Sequence, residues 1–127
     1  MKYLTGDEVL AIHSEVIDAT GGAHGVRDAG LFISIIEKPK ARFSGKELYK
    51  GIFMKTAVYL EAFVNYHVFI DGNKRTGIAA AARFLFLNGL ELKAANKEVE
   101  RFVLEVATIK PKLNMISSWF KNHSKKI

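Results

Sequence analysis

Apolar residues recur at helical spacing along most of the chain. Val9, Ile12, Val16 and Ile17 mark one face of a first helix. Thr5-Gly6-Asp7-Glu8 ahead of them has the form of a capping box, with acids where the helix dipole favours them. Gly21-Gly22 ends that helix, and a loop runs on to Gly25. Asp28 is placed to cap a second helix bearing Leu31, Ile35 and Ile36, which stops before Pro39. Ser44-Gly45-Lys46-Glu47 reads as a second capping box, opening a helix to about Tyr66 that would span roughly 30 Å. Phe53, Ala57, Val58, Leu60, Ala62, Phe63 and Val64 make it apolar on nearly all sides, which predicts a central position. After a break at His67 to Gly72, Asn73 is expected to cap a helix holding Ile78, Ala79 to Ala82, Phe84, Leu85 and Leu87, ended by Asn88-Gly89. Leu90 to Lys93 alternates weakly, as a short extended piece would. Asn96 is expected to cap a helix with Val99, Phe102, Val103 and Val106, and a last helix carries Ile116, Trp119 and Phe120. The fold class is all-α: a compact bundle of about six helices, with residues 1–127 forming one domain.

Composition narrows the function classes. The absence of cysteine excludes disulfides, thiolate metal sites and cysteine nucleophiles. The most apolar stretch, Thr76 to Leu92, is interrupted by Arg83, Asn88 and Glu91 and is too short for a span. No apolar signal core follows Met-Lys-Tyr-Leu, so the expected location is the cytoplasm, away from membranes. The net charge of +6 resides in the tail. All 13 acids lie at or before Glu105, whereas Lys110, Lys112, Lys121, Lys125 and Lys126 follow it. The remaining body is near neutral and has no basic stripe with stacking aromatics, so direct nucleic-acid binding is not expected. The tail reads as a solvated terminal helix, and less strongly as a docking surface for an acidic partner segment.

One segment exceeds what packing requires. His67-Val68-Phe69-Ile70-Asp71-Gly72-Asn73-Lys74-Arg75-Thr76 joins the two most apolar helices, yet carries an imidazole, a carboxylate, a glycine and two cations. The first N–H groups of a helix lack partners and favour anions. Gly72 would let backbone approach a phosphate, Asn73, Lys74 and Arg75 would present N–H groups, and the two cations add charge-assisted donors. Asp71 is placed to hold magnesium, which binds phosphates together with one or two carboxylates. His67 can take a proton from an attacking hydroxyl, a role to which an imidazole is suited. Phe69 is expected to anchor the loop in the core. Each residue alone is more often ordinary: a packed histidine, an Asp-Gly turn. Two cations at a helix start oppose the dipole, however, which argues against decoration. The other histidines lack ligand spacing on one helix, and His13 is expected to be packed.

This segment resembles the Fic/Doc signature: histidine, phenylalanine two residues on, then an acid, Gly/Ala, Asn, Gly/Lys and Arg. Gly21-Gly22, Gly25 to Leu31, Lys38 to Arg42 and Phe84 to Gly89 resemble the death-on-curing (Doc) branch in the same order. The resemblance implies a minimal Fic/Doc helical core and a small toxin of a type II toxin–antitoxin pair. It gives His67 the role of general base, Asp71 that of magnesium ligand, and Gly72, Asn73, Lys74 and Arg75 that of phosphate binding. Segment Ala41 to Gly45 lies where related proteins carry a flap that docks the target.

Most Fic enzymes transfer AMP from ATP, and their signature has glycine where this chain has Lys74 and arginine where it has Ile78. The present pair is the Doc pattern, which implies a reversed nucleotide and transfer of the γ-phosphate to elongation factor Tu. AMP transfer is the alternative, and a catalytically degenerate antitoxin-binding module is a third. No glutamate here precedes glycine or asparagine, so the inhibitory helix motif of many Fic proteins is missing. The resemblance therefore implies inhibition by another chain, a Phd-like antitoxin whose disordered tail folds on binding.

Overall fold

The computed structural model describes residues 1–127. The first helix, α1, spans Gly6–Thr20; the Thr5 hydroxyl accepts from Glu8 N–H and the Glu8 carboxylate returns to Thr5 N–H, so the predicted capping box is present. Helix α2 spans Ala29–Glu37, capped by Asp28 through Leu31 N–H at 3.0 Å, and continues into a 3-10 turn at Lys38–Lys40. Helices α3 (Ile52–Asn65) and α4 (Asn73–Leu87) follow, then α5 (Asn96–Thr108) and α6 (Leu113–Asn122). No helix is long and apolar enough to cross a membrane.

Helices α3 and α4 form the middle layer, as their apolar circumference predicts. One side of the pair packs Tyr59, Phe63, Ala80 and Phe84 against Val9, Phe32, Ile35 and Phe69. The other packs Leu60, Val64, Ala81 and Leu85 against Phe102, Val106, Ile116 and Phe120. Gly77 sets how closely the two helices approach. A Cβ there would lie 3.1 Å from Val64 Cγ2 and 3.3 Å from Phe63 Cβ. Gly77→Val is therefore expected to destabilise by about 1–3 kcal/mol through overpacking, despite the loss of a helical glycine. A denaturant titration in which Gly77→Val matches the parent chain would show that the layer yields freely.

Four local expectations are corrected. Ser44 does not cap a helix. Arg42–Phe43 (β1) and Lys46–Glu47 (β2) form a hairpin, and Ser44 and Gly45, both at positive φ, make its two-residue turn. Tyr49 to Gly51 then leads into α3, so that helix is about 21 Å long rather than 30 Å. Buried Lys55 explains the arrangement: its ammonium reaches back to Glu47 Oε1 at 3.2 Å and to the Tyr49 carbonyl, tying the hairpin base to α3. The tail is not helical to its end either. Ser124–Lys126 (β4) pairs antiparallel with Leu90–Leu92 (β3), the short extended piece read from the sequence, and sets Lys125 opposite Glu91. Asn96 is the first helical residue of α5, whose cap is Ala95, with Glu98 accepting from Ala95 N–H at 3.3 Å. Asn73 likewise is not a cap, because its side chain is used elsewhere.

Candidate active site

The segment between α3 and α4 is fixed before any ligand is considered. Phe69 is buried, stacks on His13 with ring centroids 3.9 Å apart, and meets Phe63 and Phe32 at about 6 Å. That is the anchoring expected of it. The Asn73 side chain accepts from Phe69 N–H and donates to Phe69 C=O, each at 3.0 Å, so it holds the loop rather than the helix start. Residues 25–28 strap the outside: Arg27 N–H donates to Val68 C=O at 2.7 Å and Ile70 N–H to Gly25 C=O at 3.1 Å. His13 is buried as expected, and its Nε2 lies 2.8 Å from the Asp71 carbonyl oxygen.

His67 follows the end of α3 at φ +51°, a left-handed conformation that a side chain other than glycine adopts at a cost of about 1 kcal/mol or more. It is exposed and lines a cavity of about 450 Å³. Arg27 holds this conformation: its Nε donates to the His67 carbonyl at 2.7 Å. Lys38 Nζ donates to the hydroxyl of neighbouring Tyr66 at 2.8 Å. Partial burial pulls the Lys38 pKa down, but the hydrogen bond and the surrounding charges outweigh it, and the net shift is upward. Sequence reading gave Arg27 no role, since only the fold brings it to His67. Arg27→Ala is expected to lower any activity that depends on His67 about 10–100-fold while leaving anion affinity at the cavity within about threefold, since a misplaced reacting group costs about that much. A larger loss of anion affinity than of activity would contradict this role.

The same cavity is lined by Asp71, Gly72, Asn73, Lys74 and Arg75, with Thr20, Gly21, Gly22 and Val64 completing the wall. Asp71 is exposed, and its Oδ2 accepts from Ala23 N–H at 2.7 Å. Gly22 is a glycine for that reason: a Cβ would lie 3.1 Å from Asp71 Cβ, at φ +109°. Gly72 caps α4 in the left-handed region, φ +76°, and a Cβ there would meet Ile17 Cδ1 at 2.9 Å. Its missing side chain thus faces α1, and the turn rather than an anion's approach is what demands glycine. No side chain caps α4. Its first backbone bond runs from Thr76 N–H to Gly72 C=O at 2.9 Å, which leaves the N–H groups of Asn73, Lys74 and Arg75 without protein partners. Lys74 and Arg75 are exposed and enter no ion pair.

The cavity therefore gathers an imidazole, a carboxylate with one oxygen uncommitted, three open backbone donors and two unpaired cations. Such a set suits a polyanion. Asp71 fits a magnesium ion shared with phosphates, because that ion needs only one or two protein carboxylates. No cluster of three or more histidines or acids exists that would hold a metal by protein groups alone.

Residues 3–85 match the model of the Fic/DOC family. The chain is 39% identical over 110 residues to Toxin Doc of Mycolicibacterium smegmatis, covering 84% of this chain and 82% of that one. It is 35% identical over 92 residues to Protein kinase doc of Escherichia phage P1, covering 72% of each. The family match includes the whole loop from His67 to Arg75, all of α3 and all but the last residues of α4, and the chain belongs to the Fic/Doc family.

Proposed function

We propose that the protein is a toxin of a toxin–antitoxin pair, and that it transfers the γ-phosphate of ATP to a hydroxyl of elongation factor Tu, arresting translation in the cytoplasm. The observation that carries this reading is the single cavity that joins His67 to the open N-terminus of α4. The printed names of the two relatives, a toxin and a protein kinase, support it.

In this reading the triphosphate lies on the N–H groups of Asn73, Lys74 and Arg75, with the two side chains neutralising charge beside it. His67 takes the proton of the target hydroxyl. The oxygen so released bonds to the γ-phosphorus, the bond from that phosphorus to the bridging oxygen breaks, and ADP leaves with the electron pair. Little covalent chemistry falls to the protein, and positioning plus charge neutralisation supply the rate. A magnesium ion held by Asp71 would add charge neutralisation on the phosphates. The β1–β2 hairpin, with Phe43 three-quarters exposed, would dock the target. A Phd-like antitoxin is the expected inhibitor.

AMP transfer is the second reading. Two observations favour phosphate transfer over it: Lys74 lines the cavity where the AMP-transferring members have glycine, and Ile78 replaces their second arginine. Incubation with elongation factor Tu and ATP labelled at either end separates them. Label reaching the target from the γ position alone is the expected result. Label from the α position alone would establish AMP transfer instead.

A further inference from the structure

Lys55 is the one lysine, arginine or acid in the interior, 1% exposed near the start of α3. Leaving a buried ammonium unpaired is costly, and an apolar side chain of similar volume would pack α3 as well. What the lysine adds is a tie. Both of its partners, the Glu47 carboxylate at 3.2 Å and the Tyr49 carbonyl, lie in the segment that follows the hairpin turn. That hairpin has little else to hold it. No residue from Arg42 to Leu48 is buried, and β1 and β2 pair only with each other. Arg42 Nη2 donates to Gly45 C=O at 2.6 Å and Leu48 N–H to Ala41 C=O at 2.9 Å, bonds that close the ribbon on itself. Gly51, at φ +83°, has open space where a Cβ would stand, so packing does not fix the turn into α3. Among the ion pairs, only that of Lys55 and Glu47 joins the hairpin to the helices.

We propose that Lys55 is a positioning residue for the protein substrate: its pair with Glu47 holds the β1–β2 hairpin in the orientation that brings a docked target to His67. The inference rests on the reading of the hairpin as the docking element and adds what sets its angle. Lys55 does not line the cavity, so it acts through the fold. Helix α3 carries Lys55 near its start and ends just before His67, with about 15 Å of axis between Lys55 and Asn65. Hairpin and imidazole are thereby referred to one stiff rod. Glu47 lies on β2 opposite Arg42, so holding its carboxylate holds both strands. The Tyr49 carbonyl is a second point of attachment, and two points set an orientation where one leaves a swivel. An exposed ion pair is weak and screened by salt, whereas the Lys55 end of this one is out of water. Without the tie, a segment with so few buried contacts samples other orientations. The apparent affinity for the target then falls with the fraction of time spent in the docking orientation, while the nucleotide and the imidazole are untouched.

Lys55→Met tests the assignment, because it replaces the ammonium by an apolar chain of similar length that a core accepts. With γ-labelled ATP and elongation factor Tu, its KM for the factor is expected to rise about tenfold, with kcat and ATP affinity within about threefold of wild type, as when the docking orientation falls to about a tenth of the population. An unchanged KM would overturn the assignment, and so would a loss of ATP affinity as large as the rise in KM, which is the mark of general damage. Glu47→Gln removes the same tie from a partly exposed side chain and keeps the test readable should Lys55→Met not fold. The double variant is expected to raise KM no further than Lys55→Met alone, since both changes act on one contact; effects that multiply would refute the pair. Hydrogen exchange reads the tie without a target. Amides of residues 42–49 are expected to exchange about tenfold faster in Lys55→Met, with those of α4 unaltered, and equal exchange in the hairpin would overturn the inference. Failure of the target reading itself shows earlier and separately: a wild-type chain that leaves elongation factor Tu unlabelled refutes that reading, and the positioning role falls with it.

Discussion

Expressed alone in bacteria, the chain is expected to stop growth, and His67→Ala to abolish that effect while leaving the unfolding midpoint essentially unchanged. The two halves of this result have separate physical causes. The imidazole is exposed on the cavity wall, so truncating it opens no void in the core. Alanine still has to occupy the left-handed conformation that His67 adopts, at a cost of only about 1 kcal/mol. The chemical loss is larger. A positioned base contributes about 10²–10⁴-fold to proton transfer in the transition state, and the same factor is expected in the labelled-ATP assay. Growth arrest that survives His67→Ala would show that harm comes from binding alone, as in a catalytically degenerate module.

Phe69→Ala is expected to cause the largest loss of stability among single changes to the loop. The ring is 1% exposed and touches aromatic neighbours from α1, α2 and α3. Removing a buried phenylalanine costs about 3–5 kcal/mol through lost burial and the cavity left behind. For a chain of this size that is a drop of roughly 10–20 °C in the unfolding midpoint. Activity falls too, because the ring pins the strap at residues 25–28 and the loop backbone that Asn73 holds. Calorimetry supplies the check: a midpoint within a few degrees of the parent chain would mean that the loop does not depend on its anchor. Phe69→Leu, which keeps most of the apolar volume, should restore most of the stability.

The helices that carry a clear apolar face were legible as elements. The central placing of α3 followed from residues such as Ala57, Leu60 and Phe63, apolar on nearly every side, and α1 announced its start through Thr5 and Glu8. The loop from His67 to Arg75 stood out because its composition violates what a buried connection needs. What stayed hidden depends on contacts distant in the chain. Ser44 and Glu47 carry the same letters as a capping box, and only positive φ at Ser44 and Gly45 and the reach of Lys55 to Glu47 decide for a hairpin. The strand at Ser124–Lys126 exists because Leu90–Leu92, far earlier in the chain, offers it an edge, with Leu92 opposite Ser124 and Leu90 opposite Lys126. Arg27 and Ala23 bear on the site only through bonds to His67 and Asp71, which spacing cannot reveal.

Within the loop, the side chains that build the backbone and those that face the cavity are different ones. Phe69, Asn73 and Gly72 are committed to the interior, to the loop's own amides and to the contact with α1. Lys74 and Arg75 bear none of that support, and Ile78 only packs at the edge of the second core cluster. On the proposed reading, such a division permits evolutionary divergence by single substitutions: which group is handed over would change at positions 74 and 78 without the polypeptide having to find a new shape.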